Sequence, residues 1–463
     1  MMRSCKGTGC PRKSLSKTVG KDYGQPDEGR IPTPGWGIQD ERLDMNARER
    51  VLAAVNHRQP DKIPFDLGAH GSSTLHVSCV KQLREHYKLP DEPVTTLSVV
   101  FMTSLIPDDL AQRMGVDTAA AISRGGAFGM PREDYKLWMN PDGQEIWVPG
   151  MFNPTPDGEG GWFAHPQGDT SCPPSGHMPS KCPYFDFVEP KVDFDDETLD
   201  PADNLEEYSV LGEKDLRFIV RSVEAAYRTG RAVLLTAPGT GLGSVGDITG
   251  AGLKNPKGIR TFEECYVSPI IRPAYVQEVF DRQTDIAVIN LRNINDACGD
   301  KIDVVHICSN DFGHQTGQFV RATTFREIWT PYYRKLTDWI HANTKWKVLK
   351  HCCGSVAPLI PCFIEAGFDI LNPLQSSAAD MDPARLKREF GRDIVLWGGG
   401  VDTQKVLPFG SPDDVRRQVL ERCEIFATDG GFVFSPEHNV QKGVPIENIV
   451  AMIDAVREFN GER

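Results

Sequence analysis

The chain has 463 residues, 40% hydrophobic and 25% charged, with a formal charge of −13 at neutral pH. This is the composition of an ordinary globular protein, and the acidic balance excludes a phosphate-backbone binder, which needs clustered positive charge. No run approaches the roughly 18 apolar residues of a membrane span, and the start lacks the apolar stretch of a secretory signal. The twelve cysteines therefore read as reduced thiols, with the cytoplasm as the expected compartment.

Residues 1–44 are rich in Gly, Pro, Lys and Ser and show no hydrophobic period, which predicts a mobile tail. Cys5 and Cys10 lie in it without a second pair to complete a metal site. Order is expected from Asn46, a plausible N-cap with Glu49 at the capping-box position and Val51, Leu52 and Val55 on one face. Pro60 to Gly68 breaks that helix and starts a short strand near Ile63–Leu67; a second amphipathic helix is expected over about 73–87. Residues 123–200 read as an insertion. Lys136 to Val148 forms a β-hairpin there, turning at Asn140, Pro141, Asp142 and Gly143, and a Gly- and Pro-rich loop holding Cys172 and Cys182 follows.

From about 205 onward, helix-like segments (213–229, 274–297, 324–343, 355–366, 383–390, 412–428 and 446–459) alternate with short apolar runs. The runs are Ala232–Thr236, Asp303–Ser309, Trp346–His351, Phe368–Pro373, Ile394–Gly398 and Phe432–Pro436. Such alternation implies parallel strands joined by helical crossovers. With one or two strands from the first 122 residues, it predicts an α/β fold, a (β/α)8 TIM barrel spanning 45–463, with a doubly wound open sheet as the alternative. In a barrel, chemistry gathers at the carboxyl ends of the strands. Polar residues recur there: Asp311, His314 and Gln315, then His351 and Cys353, Asn372 and Gln375, Asp402 and Gln404, Glu437 and His438. Gly241, Gly243 and Gly246 match a dinucleotide fingerprint, but Pro238 and the glycines beyond point to a substrate-facing loop instead.

His351 and Cys353 sit two apart on a strand and can point the same way, while Cys352 points away and packs. A histidine nitrogen and a thiolate suit zinc, which needs three or four ligands. His438 is placed for the third; Glu437 competes with it, and Asp311 or a water could complete the set. Against this stands the plainer reading, in which His351 caps a helix and Cys353 packs.

Several motifs in order give the chain a resemblance to the uroporphyrinogen decarboxylase superfamily, and within it to methyltransferases that work with corrinoid proteins. They are Arg48-Glu-Arg-Val-Leu-Ala-Ala-Val-Asn-His with Pro60-Asp-Lys-Ile-Pro, Asn310-Asp-Phe-Gly-His-Gln, and His351-Cys-Cys-Gly-Ser. Further on come Gly367-Phe-Asp-Ile-Leu-Asn-Pro, Gly399-Gly-Val-Asp-Thr-Gln and Pro445-Ile-Glu-Asn-Ile. The resemblance covers about 45–460 and implies a β/α barrel. Its methyltransferase branch implies zinc on a His-x-Cys pair and a later cysteine, positions matched here by His351, Cys353 and His438, the last a departure from cysteine. It implies methyl transfer between a small methylated substrate and a cobamide carried by a separate protein, because no Asp-x-His-x-x-Gly corrinoid motif occurs in this chain. Asp311 and Gln315 are then the expected catalytic residues, and His314, Asn372 and Gln375 the substrate-binding ones. The decarboxylases carry arginines that grip substrate carboxylates; the matching stretch Phe65–Gly71 has none, which disfavours decarboxylation as the alternative.

Overall fold

The apolar runs assemble into one parallel sheet of seven strands. These are β1 (Thr118–Ala121), β2 (Ala232–Thr236), β3 (Val304–Cys308), β4 (Lys347–His351), β5 (Ile370–Asn372), β6 (Val395–Trp397) and β7 (Phe432–Val433). The structure is a computed structural model describing residues 44–243 and 245–462; the tail expected over 1–44, with Cys5 and Cys10, lies outside the described residues except for Asp44. Each strand lies beside its successor in the chain, so the order never reverses. A doubly wound sheet must reverse at a switch point, and that alternative is set aside.

The segment 64–66 joins the two edges of this sheet. Asp66 N–H donates to the Phe434 carbonyl at 2.8 Å and Phe434 N–H to the Pro64 carbonyl at 2.9 Å. On the other side Asp117 N–H donates to the Phe65 carbonyl at 2.8 Å, and Phe65 N–H to the Asp117 carboxylate at 2.9 Å. The run expected as a strand near 63–67 is thus reduced to one parallel bridge, Phe65 to Phe434, with a side chain standing in for the ladder on its far edge.

The helix Ala47–Val55 forms as its capping signal predicts, with Asn46 and Glu49 bonding each other's backbone N–H groups. Its face of Val51, Ala54 and Val55 packs with Ala232, Leu234, Val304, Leu349, Ile370, Val395, Trp397 and Val433. Those residues point inward from β2 to β7, so the helix closes the amino-terminal end of the strands with apolar side chains. Each valine, leucine or isoleucine among them, fully buried, contributes about 1.5–3 kcal/mol.

Several boundaries differ from expectation. The hairpin Lys136–Met139 with Glu145–Val148 is present, and Val94–Ser98 joins it by pairing parallel to the second strand, so this sheet draws on residues before 123. Where only a loop was expected, Thr155–Pro156, Trp162–Ala164, Gly176–Met178 and Asp186–Phe187 build an antiparallel sheet. Strands of two or three residues are too short to show an alternating pattern. The helix expected over 324–343 is two, Ala322–Ile328 and Thr330–Asn343, with Pro331 starting the second. The helix expected from 73 begins at Val77, and Phe262–Ile271 is a helix that was not anticipated. Among the described residues no helix is long and apolar enough to cross a membrane.

Candidate metal centre

Strand alternation carries the centre up from the apolar floor. Leu349 and Ile370 point inward on β4 and β5, so His351 and Asn372, two residues further along, point inward as well. His306 stands one layer above Val304 on β3 by the same parity. The interior therefore turns from aliphatic to polar at the carboxyl ends of the strands, where barrel enzymes do their chemistry.

His351, Cys353 and His438 each offer one ligand atom, and these atoms lie within 4.8 Å of one another. Cys353 Sγ is 3.2 Å from His351 Nε2. His351 Nδ1 faces Asn372 Oδ1 at 2.8 Å, while the same amide's nitrogen donates to the Trp397 carbonyl at 3.0 Å. That second bond fixes which end of the amide faces the ring. Nδ1 meets an acceptor, so it carries the proton and Nε2 is bare. His438 repeats the device: Nδ1 is 2.9 Å from Asn439 Oδ1, and Asn439 Nδ2 donates to the Gly71 carbonyl at 3.4 Å. Two imidazoles with tied-off Nδ1 atoms and one thiol are a donor set compatible with zinc, in the three-ligand form that leaves a position open.

Burial pushes His351 down to about 4, against the pull of the nearby Asp311 carboxylate, so its ring is neutral and able to ligate. Burial likewise pushes the Cys353 thiol well up, with Asp311 adding to the effect. A metal binding here would therefore have to displace the thiol proton.

The other expected site residues divide into two groups. Asp311 is at the centre: its Oδ1 accepts the Cys353 backbone N–H at 2.8 Å and lies 3.9 Å from His351 Nε2. Gln375 accepts the Gly354 N–H at 2.8 Å and donates to Gln315 at 3.1 Å, and Gln315 donates in turn to the Ser377 carbonyl. Both glutamines thus brace the loop after β4, away from the ligand atoms. His314 is exposed, with its ring 5.2 Å from that of Phe319. Asn372 has both ends of its amide taken by protein groups. Cys352 is buried and accepts the Phe312 N–H at 3.2 Å, as a packed thiol. Glu437 is excluded from the ligand group. It is buried, accepts the Ser376 N–H at 3.0 Å together with the Ser376 hydroxyl, and is pushed up to about 7 chiefly by burial.

Three residues beside the centre were not anticipated. His70 and Ser72 come from the loop after the 64–66 segment, and Ser72 Oγ lies 3.1 Å from His351 Nδ1. His306 packs its ring 6.3 Å from that of His351 and 6.1 Å from that of His70. Reading the first strand's end as the others were read would have found His70, and β3 parity would have found His306.

The family model described as uroporphyrinogen decarboxylase (URO-D) matches residues 252–459, which include all three ligand positions. Over those residues the chain resembles that superfamily. A search of curated proteins finds no match. Among matching solved structures is a "methyltransferase from Methanosarcina mazei", with a TM-score of 0.51 and 15% identity over 89% of this chain and 99% of that one. At that identity the likeness speaks for the fold alone.

Proposed function

We propose that this chain is a methyltransferase that moves a methyl group between a small methylated substrate and a corrinoid protein, at a zinc held by His351, Cys353 and His438. Methoxylated aromatics, methylamines and methyl thiols are the substrate classes in view. The observation that carries the reading is the convergence of the three donor atoms within 4.8 Å, with each imidazole tied at Nδ1 to an asparagine oxygen. The likeness to the methyltransferase from Methanosarcina mazei and the URO-D match support the same reading.

Bound zinc would supply Lewis acidity toward the oxygen, sulfur or nitrogen that carries or receives the methyl group. The chain's own contribution is position and charge. Asn372 and Asn439 aim the two Nε2 atoms and keep their rings from turning. Asp311 holds the Cys353 backbone N–H and lies 3.9 Å from His351 Nε2. Gln315 and Gln375 set the loop that carries Gly354, and His314 offers an exposed imidazole to substrate at the rim. The corrinoid comes from a separate protein, which must reach the carboxyl ends of the strands.

Metal analysis of the purified protein beside Cys353→Ala and His438→Ala tests the site: near-stoichiometric zinc is expected in the parent and its loss in both variants. Folded parent protein that binds no zinc overturns it. A demethylation screen with Cob(I)alamin tests the activity. Carbon dioxide release without methylation of the cobalamin would instead favour the decarboxylase reading, which the absence of arginine from residues 65–71 speaks against.

A further inference from the structure

We propose that Ser72 and His70 are positioning residues for His351, joined to it in a directed hydrogen-bond chain that ends at His70, whose Nε2 faces the buried Asp66 side chain. The proposal deepens the metal reading above, and only its second readout rests on that reading.

The direction of the chain is set by distances and by the surroundings of His70 Nε2. Ser72 Oγ lies 2.7 Å from His70 Nδ1, 3.1 Å from His351 Nδ1 and 3.1 Å from Asn372 Oδ1. A hydroxyl has one proton and two lone pairs. His351 Nδ1 already carries a proton, because Asn372 Oδ1 faces it, so toward His351 the hydroxyl acts as acceptor. Of the two acceptors left for its own proton, Asn372 Oδ1 at 3.1 Å and His70 Nδ1 at 2.7 Å, the nearer is His70 Nδ1, which places the His70 proton on Nε2. The surroundings of that atom agree. His70 Nε2 is buried with no hydrogen-bond partner, and Asp66 Oδ2 lies 3.8 Å from it. Asp66 is itself held by Thr118 Oγ1 at 2.7 Å, Trp397 Nε1 at 2.8 Å and the Ala69 N–H at 3.0 Å. A carboxylate so fixed favours an N–H toward it. The Ser72 and His70 protons therefore point away from His351, and the arrangement holds the His351 ring with its bare Nε2 facing Cys353 and His438.

Asn372 alone would keep the proton on Nδ1. Ser72 adds a second acceptor from the opposite end of the sequence, which stops the ring from rocking about its bond to the strand. Partners of this kind typically account for 10–100-fold in metal affinity.

The test uses full-length protein with 15N-labelled histidine, read by long-range proton–nitrogen correlation in the metal-free state, with His351→Gln and His70→Gln assigning the two rings. Expected are His351 as the Nδ1–H tautomer and His70 as the Nε2–H tautomer. In Ser72→Ala the His70 signals shift to mixed tautomers, and zinc affinity by chelator competition falls about tenfold; Ser72→Thr, which keeps the hydroxyl, restores both. A His70 ring found as Nδ1–H overturns the chain's direction. Zinc affinity unchanged within twofold in Ser72→Ala overturns the positioning role. Should the parent bind no zinc, the metal reading fails while the tautomer result still decides the chain.

Discussion

Lys350 presents a buried ammonium whose removal has a magnitude that can be worked out. The side chain is wholly buried on the outer face of β4, one residue before His351, and no carboxylate among the described residues lies within ion-pair distance of it. Nζ donates to the carbonyls of Asn310 at 2.9 Å and His351 at 3.0 Å, and lies 5.1–5.7 Å from the ring centres of Phe312, Tyr333 and Phe363. It bridges β3 and β4 just beyond the point where their register shifts, between His306 and Cys308. Two bonds from a charged donor amount to about 3–6 kcal/mol, and the ring faces add about 1–2 kcal/mol. Against them stands the cost of keeping an ammonium out of water, several kcal/mol even after relaxation. Lys350→Met removes that cost and fills the same volume, but it strands two carbonyls at about 1–3 kcal/mol each. The expected balance is a loss of about 2–5 kcal/mol in equilibrium urea unfolding, followed by tryptophan fluorescence and circular dichroism to check that the transitions coincide. A variant as stable as the parent or more so would refute the reasoning, because it would mean that burying the charge outweighs its bonds.

Other changes have expected outcomes of the same kind. Asn372→Ala removes the acceptor from His351 Nδ1 and should weaken zinc binding about 10–100-fold in chelator competition; unchanged affinity would count against the orienting role of that amide. Arg50 bonds Asp61 at 2.8 Å and Asp117 at 2.6 Å, and Asp117, pushed up to about 6 mainly by burial, holds the Phe65 N–H that joins the sheet edges. Arg50→Met strands these carboxylates and should cost about 3–5 kcal/mol in urea unfolding. His341 is raised by its 2.8 Å bond to Asp369. A histidine raised on folding contributes stability that is fully present below its unfolded value of about 6.5 and lost as pH rises through the folded one. The ring is partly exposed, so His341→Gln should lower the melting point at pH 5.5 by the equivalent of under about 1 kcal/mol and leave it unchanged at pH 9. An equal effect at both pH values would rule the ion pair out as the cause.

The regular half of the chain was legible because its signals are local. Ala232–Thr236, Val304–Cys308 and Lys347–His351 are apolar runs between helices, and the last of them leads to His351 and Cys353, two of the three residues that converge. Less legible were elements that exist through partners far away in sequence. Phe65 is a strand residue only because Phe434 and Asp117 lie on either side of it. The sheet over 155–187 has strands too short for any period, amid glycine and proline. Glu437 and His438 could not be ranked as ligands from sequence, since adjacent residues reach a strand end equally well. What separates them is Ser376, which takes the carboxylate, and Asn439, which aims the ring. His70 and Ser72 stayed hidden because a loop nearly three hundred residues from His351 carries no local sign of touching it.

The alternation of one strand links stability to chemistry in this fold. On β4, Leu349 and His351 face inward, while Lys350 faces outward into the aromatic layer. The outward lysine grips the carbonyl of the inward histidine and that of Asn310, the residue before Asp311. Asp311 in turn receives the Cys353 N–H. Removing the lysine should therefore loosen both sides of the ligand group even though its charge never enters it. A single extra residue in β4 would exchange the two faces, placing an ammonium in the ligand layer and the histidine among the rings. Register at this strand is thus the shared requirement of the packed core and of the His351, Cys353 and His438 group.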